Sequence, residues 1–496
     1  MQHVLAFLSA RPVAGHVLAF VSGLLLPLSF APFHFWPVAI ASLLALRFCV
    51  EDDSRLLLNL YLYYLGAFLV GTSWIYVSIN VYGGASPLLA GLLVILFVAG
   101  WSLTSIPHAL AWRYAKRHGL AFLPLVFAIL WALSEWFRTW LLTGFPWLFL
   151  GYGFQDTPLV GFAPVAGVYA VSLTVVLTVT LLFDALARRT WIPLPGVLGA
   201  WLLGGLLWQV SFVEESHRVD VVAVQGNIDQ HTKWQREQVV PIYETYTGLT
   251  ETHWDADLIV WPEAALTVFR ENGDLLLAPL AKRARESDTT LVLGIPDRDD
   301  DGRFLNTTIA LGEGAGQYHK RRLVPFGEYV PLEGLLRGTI AFFDLPMSRN
   351  SPGEWQQAPM TAGGLRLSMS ICYEIVYPAL VRNAVAAPDL LLTVSNDTWF
   401  GRSIGPDQHL QMALMRAIEN GRALVRSTNN GLTVLADERG QVLASLPSDV
   451  PDVLRGEVPV LTGETPYHRL GNWPVLAFSF AVLMVAIARR QTGSGH

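Results

Sequence analysis

The chain has 496 residues, of which 52% are hydrophobic and only 15% are charged, with a mean hydropathy of +0.40. A soluble globular protein carries about 25% charged residues, so this composition excludes a wholly soluble protein and predicts that a large part of the chain lies in lipid. Residues 1–213 contain 9 of the 34 basic and 6 of the 40 acidic residues, and residues 214–496 contain the other 25 and 34, a net charge of −9. This acidic half argues against a nucleic-acid partner and against electrostatic binding to anionic lipid.

Apolar stretches long enough to cross a bilayer, about 20 residues each, recur along the first half of the chain, and one more follows a long polar interval. We predict about eight transmembrane helices, near residues 12–29, 33–50, 56–79, 87–112, 119–141, 159–183, 191–213 and 471–488. An even number of spans places both termini on the same side of the membrane. The predicted domains are therefore a bundle of about seven helices at 1–213, a polar domain at 214–470, and a final helix with a short tail at 471–496.

The basic residues indicate which side is cytoplasmic. One set of alternate connections, at 29–34, 80–86 and 143–157, contains no Lys or Arg. The opposite set carries the basic clusters Arg11, Arg47 with Arg55, Arg113 with Lys116 and Arg117, Arg188 with Arg189, and Arg489 with Arg490. Because cytoplasmic loops are enriched in Lys and Arg, we predict that both termini are cytoplasmic and that the 214–470 domain is extracytoplasmic.

Short apolar runs separated by helix-like segments predict that residues 214–470 form a layered α/β domain. The strand-like runs are Val219–Val224, Leu258–Trp261, Thr290–Leu293, Thr307–Leu311, Leu390–Val394 and Leu432–Ala436. The helix-like segments include Glu237–Thr250 and Leu275–Glu286. The glycine-rich stretch Gly312–Gly316 predicts a hairpin between two of the strands.

Two segments of this domain place a charged side chain after a strand-like run. In DLIVWPEAA, Pro262 ends the apolar run and Glu263 follows it, where a carboxylate is a candidate general base. A surface glutamate after a strand is the alternative interpretation. In GQYHKRRLVPFGEYVP, Lys320 stands in a basic triplet and Glu328 follows eight residues later, a pattern that a solvated strand edge would also produce.

The third segment, LSMSICYEIVYP, contains Cys372. It alternates in the manner of a half-buried strand, and Cys372 is the last residue of the more polar face. A lone cysteine is usually a small core residue, which is our interpretation of Cys49. A nucleophilic thiol needs a base and a positive donor for the oxyanion, and Glu263 and Lys320 are candidates for these roles. The sequence has no HExxH, zinc-spaced cysteine pair or Gly-x-Ser-x-Gly motif, which argues against a metal site and a serine hydrolase.

The order Glu263, Lys320, Cys372, each in its local setting, resembles the carbon–nitrogen hydrolase (nitrilase) superfamily, as do SNDTWFG (Ser395–Gly401) and RAIENGRALVRSTNNG (Arg416–Gly431). In the membrane half, SEWFRTWLLTGFPWLFLGY (Ser134–Tyr152) is similar to the membrane signature of the apolipoprotein N-acyltransferase family. A nitrilase-like domain held between seven helices and one last helix also resembles that family. The resemblance implies a polytopic α-helical membrane protein that carries an extracytoplasmic α-β-β-α sandwich.

The same resemblance implies roles for individual residues. Glu263 would be the general base, Lys320 would stabilise the tetrahedral intermediate, and Cys372 would be the nucleophile. Supporting roles are implied for four further residues, Glu328, Tyr373, Glu374 and, near the site entrance, Trp234. No cofactor or metal is implied.

The family implies a two-step acyl transfer. The sn-1 acyl chain of a phospholipid, expected to be phosphatidylethanolamine, passes to Cys372 as a thioester. It then passes to the α-amine of the diacylglyceryl-cysteine at a lipoprotein N-terminus, the last step of bacterial lipoprotein maturation. The implied location is the bacterial inner membrane, with a periplasmic catalytic domain. A membrane-tethered amidase that uses water as acceptor, and a transporter with a degenerate domain, are the alternatives.

Two further expectations concern local features. The apolar stretch Thr339–Met347 contains Phe342 and Phe343, which we predict to form a lid or membrane-dipping arm, with a place in the domain core as the alternative. Glu135 and Arg138 lie one helical turn apart near the end of a span. They are candidates for a lipid head-group contact or for a structural ion pair.

Overall fold

The structure is a computed structural model that describes residues 11–330, 333–336, 338 and 349–489. The predicted lid, with Phe342 and Phe343, lies outside the described residues. Contacts divide the described chain into two compact units. The first takes in the residues up to Ile75, Gly91–Ser211 and those from Thr465 onward, and the second takes in Tyr76–Ala90 and Phe212–Glu464.

Helices make up the regular structure before the first strand. They are α1 (Pro12–Leu25), α2 (Pro37–Cys49), α3 (Leu56–Gly71), α4 (Trp74–Val77), α5 (Pro87–Ser102), α6 (Ser105–Arg117), α7 (Leu123–Arg138), α8 (Ala163–Ala166), α9 (Val168–Arg188) and α10 (Leu194–Gln209). A π-helical turn, Ser78–Tyr82, continues α4. Apart from α6, whose last turns carry basic residues, these sequences are apolar on most faces, as expected of helices that contact lipid or one another rather than water.

Among the described residues, three helical segments are long and apolar enough to cross a membrane, namely Pro12–Ser29, Pro87–Arg117 and Val168–Arg188. A fourth is reached if α3 and Trp74–Tyr82, which meet at a bend of 53°, count as one span. Helices also occur at the other predicted spans but have only 13 to 16 residues, against about 20 for a full crossing. Apolar helices suited to membrane anchoring are therefore present, and the full number of eight spans stays a prediction.

Glu135 and Arg138 form a buried pair on α7, with Oε1 of Glu135 4.0 Å from Nη2 of Arg138. Oε1 also accepts hydrogen bonds from Nε1 of Trp131 and from the backbone N–H of Leu150, at 3.0 and 2.9 Å. Arg138 donates to the carbonyl of Trp147 at 3.2 Å. The pair thus ties the chain at residues 147–150 to α7, which favours the structural ion pair over the head-group contact.

The described part of the second unit forms two six-stranded sheets. The strands are β1 (Val213–Gln225), β2 (Leu258–Val260), β3 (Thr290–Arg298), β4 (Phe304–Gly312), β5 (Gln317–His319), β6 (Met360–Ala362), β7 (Leu365–Ile371), β8 (Leu390–Ser395), β9 (Leu424–Thr428), β10 (Val434–Ala436), β11 (Val442–Ser445) and β12 (Asp452–Gly463). One sheet has the order β12-β1-β2-β3-β4-β5 and the other β11-β10-β9-β8-β7-β6. The remaining helices are α11 (Val239–Thr250), α12 (Asp274–Glu286), α13 (Glu333–Leu336), α14 (Pro378–Arg382), α15 (Gly405–Asn420), α16 (Pro466–Leu470) and α17 (Trp473–Ala488).

The two sheets pack face to face, and helices cover their outer faces. Along β1, Val221 and Ala223 point into the core between the sheets, while Val222 and Val224 pack against α11 and α12. This double burial explains why the strands are nearly continuous apolar runs. The predicted α-β-β-α sandwich is confirmed.

Two local predictions have different outcomes. The hairpin is confirmed, since β4 and β5 pair antiparallel across Gly312–Gly316, and Gly312 and Gly316 adopt φ of +82° and +101°, the region that favours glycine. The strand predicted to end at Cys372 is confirmed as β7, but the prediction that it is half-buried is wrong. Ser368 and Ser370 on the supposedly polar face of β7 are buried, because the segment around α14 covers them, and Oγ of Ser368 donates to the carbonyl of Val381 at 3.1 Å.

Candidate functional site

The three residues Glu263, Lys320 and Cys372 follow the carboxyl ends of β2, β5 and β7. The structure brings them together, with Glu263 and Lys320 buried and Cys372 partly buried, although the first two belong to one sheet and the third to the other. Nζ of Lys320 lies 3.3 Å from Oε1 of Glu263. Cys372 lies close enough for the charges of both side chains to act on its thiol.

Lys320 is shared between two carboxylates. Its Nζ also lies 2.9 Å from Oε1 of Glu328, and the lysine side chain is 1% exposed. Burial alone would lower the pKa of Lys320, but the Glu263 and Glu328 carboxylates outweigh burial and raise it above its usual value. Lys320 is therefore a permanently charged ammonium, suited to stabilising a negative charge that develops beside it.

Glu263 is held at both of its oxygens. Nδ2 of Asn306, on β4, donates to Oε1 at 2.7 Å and to Oε1 of Glu328 at 3.2 Å. The backbone N–H of Asn396 donates to Oε2 of Glu263 at 2.8 Å, and the backbone N–H of Val324 donates to Oε2 of Glu328 at 2.8 Å. These donors hold the Glu263 carboxylate in one orientation, so that its remaining lone pairs face a fixed direction.

Cys372 begins a short 3₁₀-helix, Cys372–Val376, directly after β7. Its φ is +52°, a conformation that non-glycine residues rarely adopt and that is often found at functional sites. Burial raises the pKa of the Cys372 thiol to about 12, the Glu263 carboxylate adds to this rise, and Lys320 opposes it. The thiol is therefore protonated at neutral pH and needs a base before it can act as a nucleophile.

Glu374 connects the two strand ends rather than facing the cluster. Oε2 accepts from the Tyr318 hydroxyl and the Ile371 N–H, both at 2.9 Å. Oε1 accepts from the N–H groups of Arg321 and Arg322 at 2.7 and 3.1 Å. Burial raises the pKa of Glu374, and these backbone donors act in the opposite direction. The contacts set the chain that carries Lys320 against the chain that carries Cys372.

Tyr373 is buried, and its ring packs edge-on against Tyr377 with 5.3 Å between centroids. Trp234 lies on the loop after β1 and is 48% exposed. Its neighbour Lys233 is fully buried, and Nζ of Lys233 donates to the carbonyl of Glu263 at 3.4 Å. Burial lowers the pKa of Lys233 to about 8, against the opposing effect of Glu263. The exposed tryptophan is thus anchored beside the candidate base.

Sequence reasoning missed several members of the site. Asn306, Lys233 and Asn396 all contact Glu263, but none was singled out. A polar asparagine inside the apolar run FLNTTIALG could have indicated the first. The family likeness of Ser395–Gly401 indicates the segment but assigns no role to Asn396 within it.

The turn Ser78–Tyr82 was also missed as part of this unit. The Tyr82 ring stacks on His231 with 5.6 Å between centroids and meets Trp399 edge-on at 6.0 Å. Oγ of Ser78 donates to the carbonyl of Trp399 at 2.7 Å. One turn thus contacts the loop that carries Trp234 and the loop that carries Asn396.

A sandwich of two sheets with a Glu–Lys–Cys cluster at the strand ends defines a protein of the carbon–nitrogen hydrolase class, and the carbon–nitrogen hydrolase family model matches residues 220–467. The model of the apolipoprotein N-acyltransferase N-terminal domain matches residues 22–181. The chain belongs to the apolipoprotein N-acyltransferase family.

Curated relatives support this membership over nearly the whole length. The apolipoprotein N-acyltransferases of Pseudomonas aeruginosa and Pseudomonas syringae pv. tomato are 43% identical to the chain, cover 96% of it, and are themselves covered to 96% and 98%. That of Vibrio vulnificus is 38% identical, with 98% of each chain covered.

Solved structures that resemble the chain match about half of it. The C. elegans NitFhit protein has a TM-score of 0.38 at 18% identity, over 54% of this chain and 65% of its own. A carbon–nitrogen hydrolase from Helicobacter pylori has a TM-score of 0.37 at 15% identity, over 56% and 96%.

Proposed function

We propose that this protein transfers an acyl chain from a phospholipid to the α-amine of the diacylglyceryl-cysteine at a lipoprotein N-terminus, through a thioester on Cys372. The observation that carries the proposal is the buried Glu263–Lys320 pair beside Cys372, in a chain that belongs to the apolipoprotein N-acyltransferase family. Glu263, Lys320 and Cys372 are the proposed triad.

In the first half-reaction Glu263 takes the proton of the Cys372 thiol as the sulfur attacks the carbonyl carbon of the sn-1 ester. The resulting oxyanion is stabilised by Lys320 and by a backbone N–H near Tyr373. The intermediate collapses with cleavage of the ester C–O bond. Glu263 returns the proton to the departing glyceryl oxygen, so that a lysophospholipid leaves and the acyl chain stays on Cys372.

In the second half-reaction the lipoprotein α-amine attacks the thioester carbonyl. Glu263 takes a proton from the attacking nitrogen, the C–S bond breaks, and the proton returns to the Cys372 sulfur as the amide forms. One nucleophile serves both substrates in turn, so the kinetics are ping-pong.

The supporting residues act through these three. Glu328 shares Lys320 with Glu263 and keeps the ammonium in place, and Glu374 fixes the chain that follows Lys320 against the chain that carries Cys372. Trp234 lies at the entrance, where its exposed indole contacts an acyl chain. These roles are inferred from the contacts and exposure of the three side chains in the site.

The membrane topology of the protein and the identity of its acyl donor are also part of this proposal. We infer eight membrane spans with both termini cytoplasmic, from the distribution of Lys and Arg, and a periplasmic catalytic domain at 214–470. The membrane is the bacterial inner membrane, and phosphatidylethanolamine is the donor. Both substrates are lipid-anchored, which explains why an acyl-transfer domain is built into a chain with membrane-spanning helices.

The proposal is tested with the full-length protein in detergent, supplied with phosphatidylethanolamine and a synthetic diacylglyceryl lipopeptide. We expect mass spectrometry to show the lipopeptide gaining one acyl chain on its α-amine, with no gain when Cys372→Ala replaces the native protein. A lipopeptide with an acetylated α-amine is the matched control and stays unmodified. Release of free fatty acid with no acylated lipopeptide would contradict the proposal and favour a hydrolase that uses water.

A further inference from the structure

A second buried polar cluster lies behind Cys372, on the segment Ser395–Phe400 and on α15 and β9. Asp397 accepts hydrogen bonds from Oγ of Ser395 at Oδ1 and from Nη2 of Arg426 at Oδ2, both at 2.6 Å. Nδ1 of His409 lies 3.3 Å from Oδ1 of Asp397 and 3.1 Å from Nη2 of Arg426. All four side chains are at most 2% exposed. The reaction steps above use none of them.

On its outer side this cluster contacts the Cys372 main chain. Nε2 of His409 lies 3.2 Å from the carbonyl oxygen of Cys372. A carbonyl oxygen can only accept, so Nε2 must carry a proton. With that proton on Nε2 of a neutral ring, Nδ1 has none to donate to Oδ1 of Asp397 and instead accepts from Arg426. Asp397 then orients the ring through its ion pair with Arg426. Burial and the Arg426 charge lower the pKa of His409, while Asp397 opposes them, and this agrees with the neutral ring.

The carbonyl that His409 contacts belongs to the same peptide unit as the N–H of Tyr373. In a trans peptide these two groups point in opposite directions, so a donor that fixes the carbonyl also fixes the N–H. A hydrogen bond to the carbonyl polarises the amide and strengthens its N–H as a donor. The unit needs such support, because Cys372 holds a φ of +52° that its backbone would not adopt unaided.

We propose that His409, oriented by Asp397 and Arg426, is a positioning residue that aims the Cys372–Tyr373 peptide N–H at the oxyanion of acyl transfer. The inference rests on the proposed function, since an oxyanion arises only when an acyl carbonyl is attacked. We assign His409 no direct contact with the substrate or with the Cys372 sulfur. Its effect passes through the peptide that it holds.

A purely structural histidine in the core is the competing interpretation, and two variants separate it from ours. In His409→Asn the shorter side chain keeps a polar group near Nδ1, and so near Asp397 and Arg426, but has no donor at the position of Nε2. In His409→Gln the amide nitrogen reaches the position of Nε2 and can donate to the Cys372 carbonyl. Both variants retain a polar side chain of similar size, and His217→Leu on the exposed part of β1 serves as a control.

Two rates are measured on the full-length protein in detergent. The first is Cys372 thioester formation from phosphatidylethanolamine, which passes through an oxyanion. The second is alkylation of Cys372 by iodoacetamide, which does not. We expect His409→Asn to slow thioester formation about 10-fold or more while its alkylation rate stays within about twofold of the native rate. His409→Gln should recover most of the loss.

Three results would overturn the inference: unslowed thioester formation in His409→Asn, an equal fall in both rates, or no recovery in His409→Gln with its folding intact. Thermal unfolding of each variant is measured in parallel. The thioester rates of His409→Asn and His409→Gln are compared only if the two variants have the same melting temperature. If the native protein itself forms no thioester, the proposed function fails and this inference with it. A native thioester together with an unslowed His409→Asn contradicts this inference alone.

Discussion

Nζ of Lys320 lies 3.3 Å from Oε1 of Glu263, and the two side chains are only 1% and 9% exposed. A buried ion pair of this kind is weak evidence for stability, because desolvation of both charges opposes their attraction. Its value lies in geometry. The ammonium stands next to the carboxylate that takes the thiol proton, so it compensates the negative charge as that charge passes from the carboxylate to the sulfur and then to the carbonyl oxygen.

Replacing Lys320 separates its structural role from its chemical role. Lys320→Met leaves the Glu263 and Glu328 carboxylates buried without this ammonium, which should cost about 3–5 kcal/mol in the free energy of unfolding and abolish thioester formation. Adding Glu328→Gln removes one of the two carboxylates and should restore part of the melting temperature but no activity. Thermal unfolding and the Cys372 thioester assay measure the two effects. Activity in the double variant would contradict the role of Lys320.

The pH dependence of Cys372 alkylation tests its resting state. The pKa of this thiol is raised to about 12, so the neutral form is favoured and the thiolate fraction grows tenfold with each pH unit below that value. We expect the iodoacetamide rate of a Cys49→Ala variant, in which Cys372 is the remaining thiol, to rise from pH 7 to 10 without a plateau. A cysteine in an unstructured peptide, with a pKa of about 8.5, begins to level off above about pH 9. A plateau of the protein near pH 8 would show a resting thiolate and remove the need for a base.

The Glu135–Arg138 pair offers a test in the membrane half. Arg138→Met leaves Glu135 buried without its cation and should lower the melting temperature, whereas the double variant Glu135→Gln with Arg138→Met should recover part of the loss. The phospholipid concentration at half-maximal rate should stay within about twofold in the folded double variant. A large rise in that concentration, at unchanged stability, would instead indicate a head-group contact.

Much of the fold could be predicted because strands that are buried on both faces appear in the sequence as continuous apolar runs. Val219–Val224 and Leu258–Trp261 are short continuous apolar runs, and each contains or overlaps a strand. The pattern of apolar and polar residues gives the wrong prediction at β7, where Ser368 and Ser370 indicate an exposed face. Both serines are buried, because a small hydroxyl that finds a backbone acceptor such as the Val381 carbonyl is tolerated in a core.

The candidate site was predictable only in part. Glu263, Lys320 and Cys372 each follow a strand and carry reactive groups, so their chemistry indicates them. Asn306 has only the weak signal of a polar residue inside an apolar run, and His409 has none. The importance of both comes from contacts 43 and 37 residues away in the chain, to Glu263 and to the Cys372 carbonyl. Such contacts are set by the packing of two sheets, which local sequence patterns do not encode.

The most direct test of the account is intact-protein mass spectrometry of the full-length enzyme after incubation with phospholipid alone. We predict a mass increase of one fatty acyl group on Cys372, removed by hydroxylamine and absent in Glu263→Gln, while Glu271→Gln on an exposed turn behaves as the native protein does. An acyl adduct that forms equally well in Glu263→Gln, or no adduct on Cys372 in a native protein that still acylates lipopeptide, would contradict the proposed mechanism.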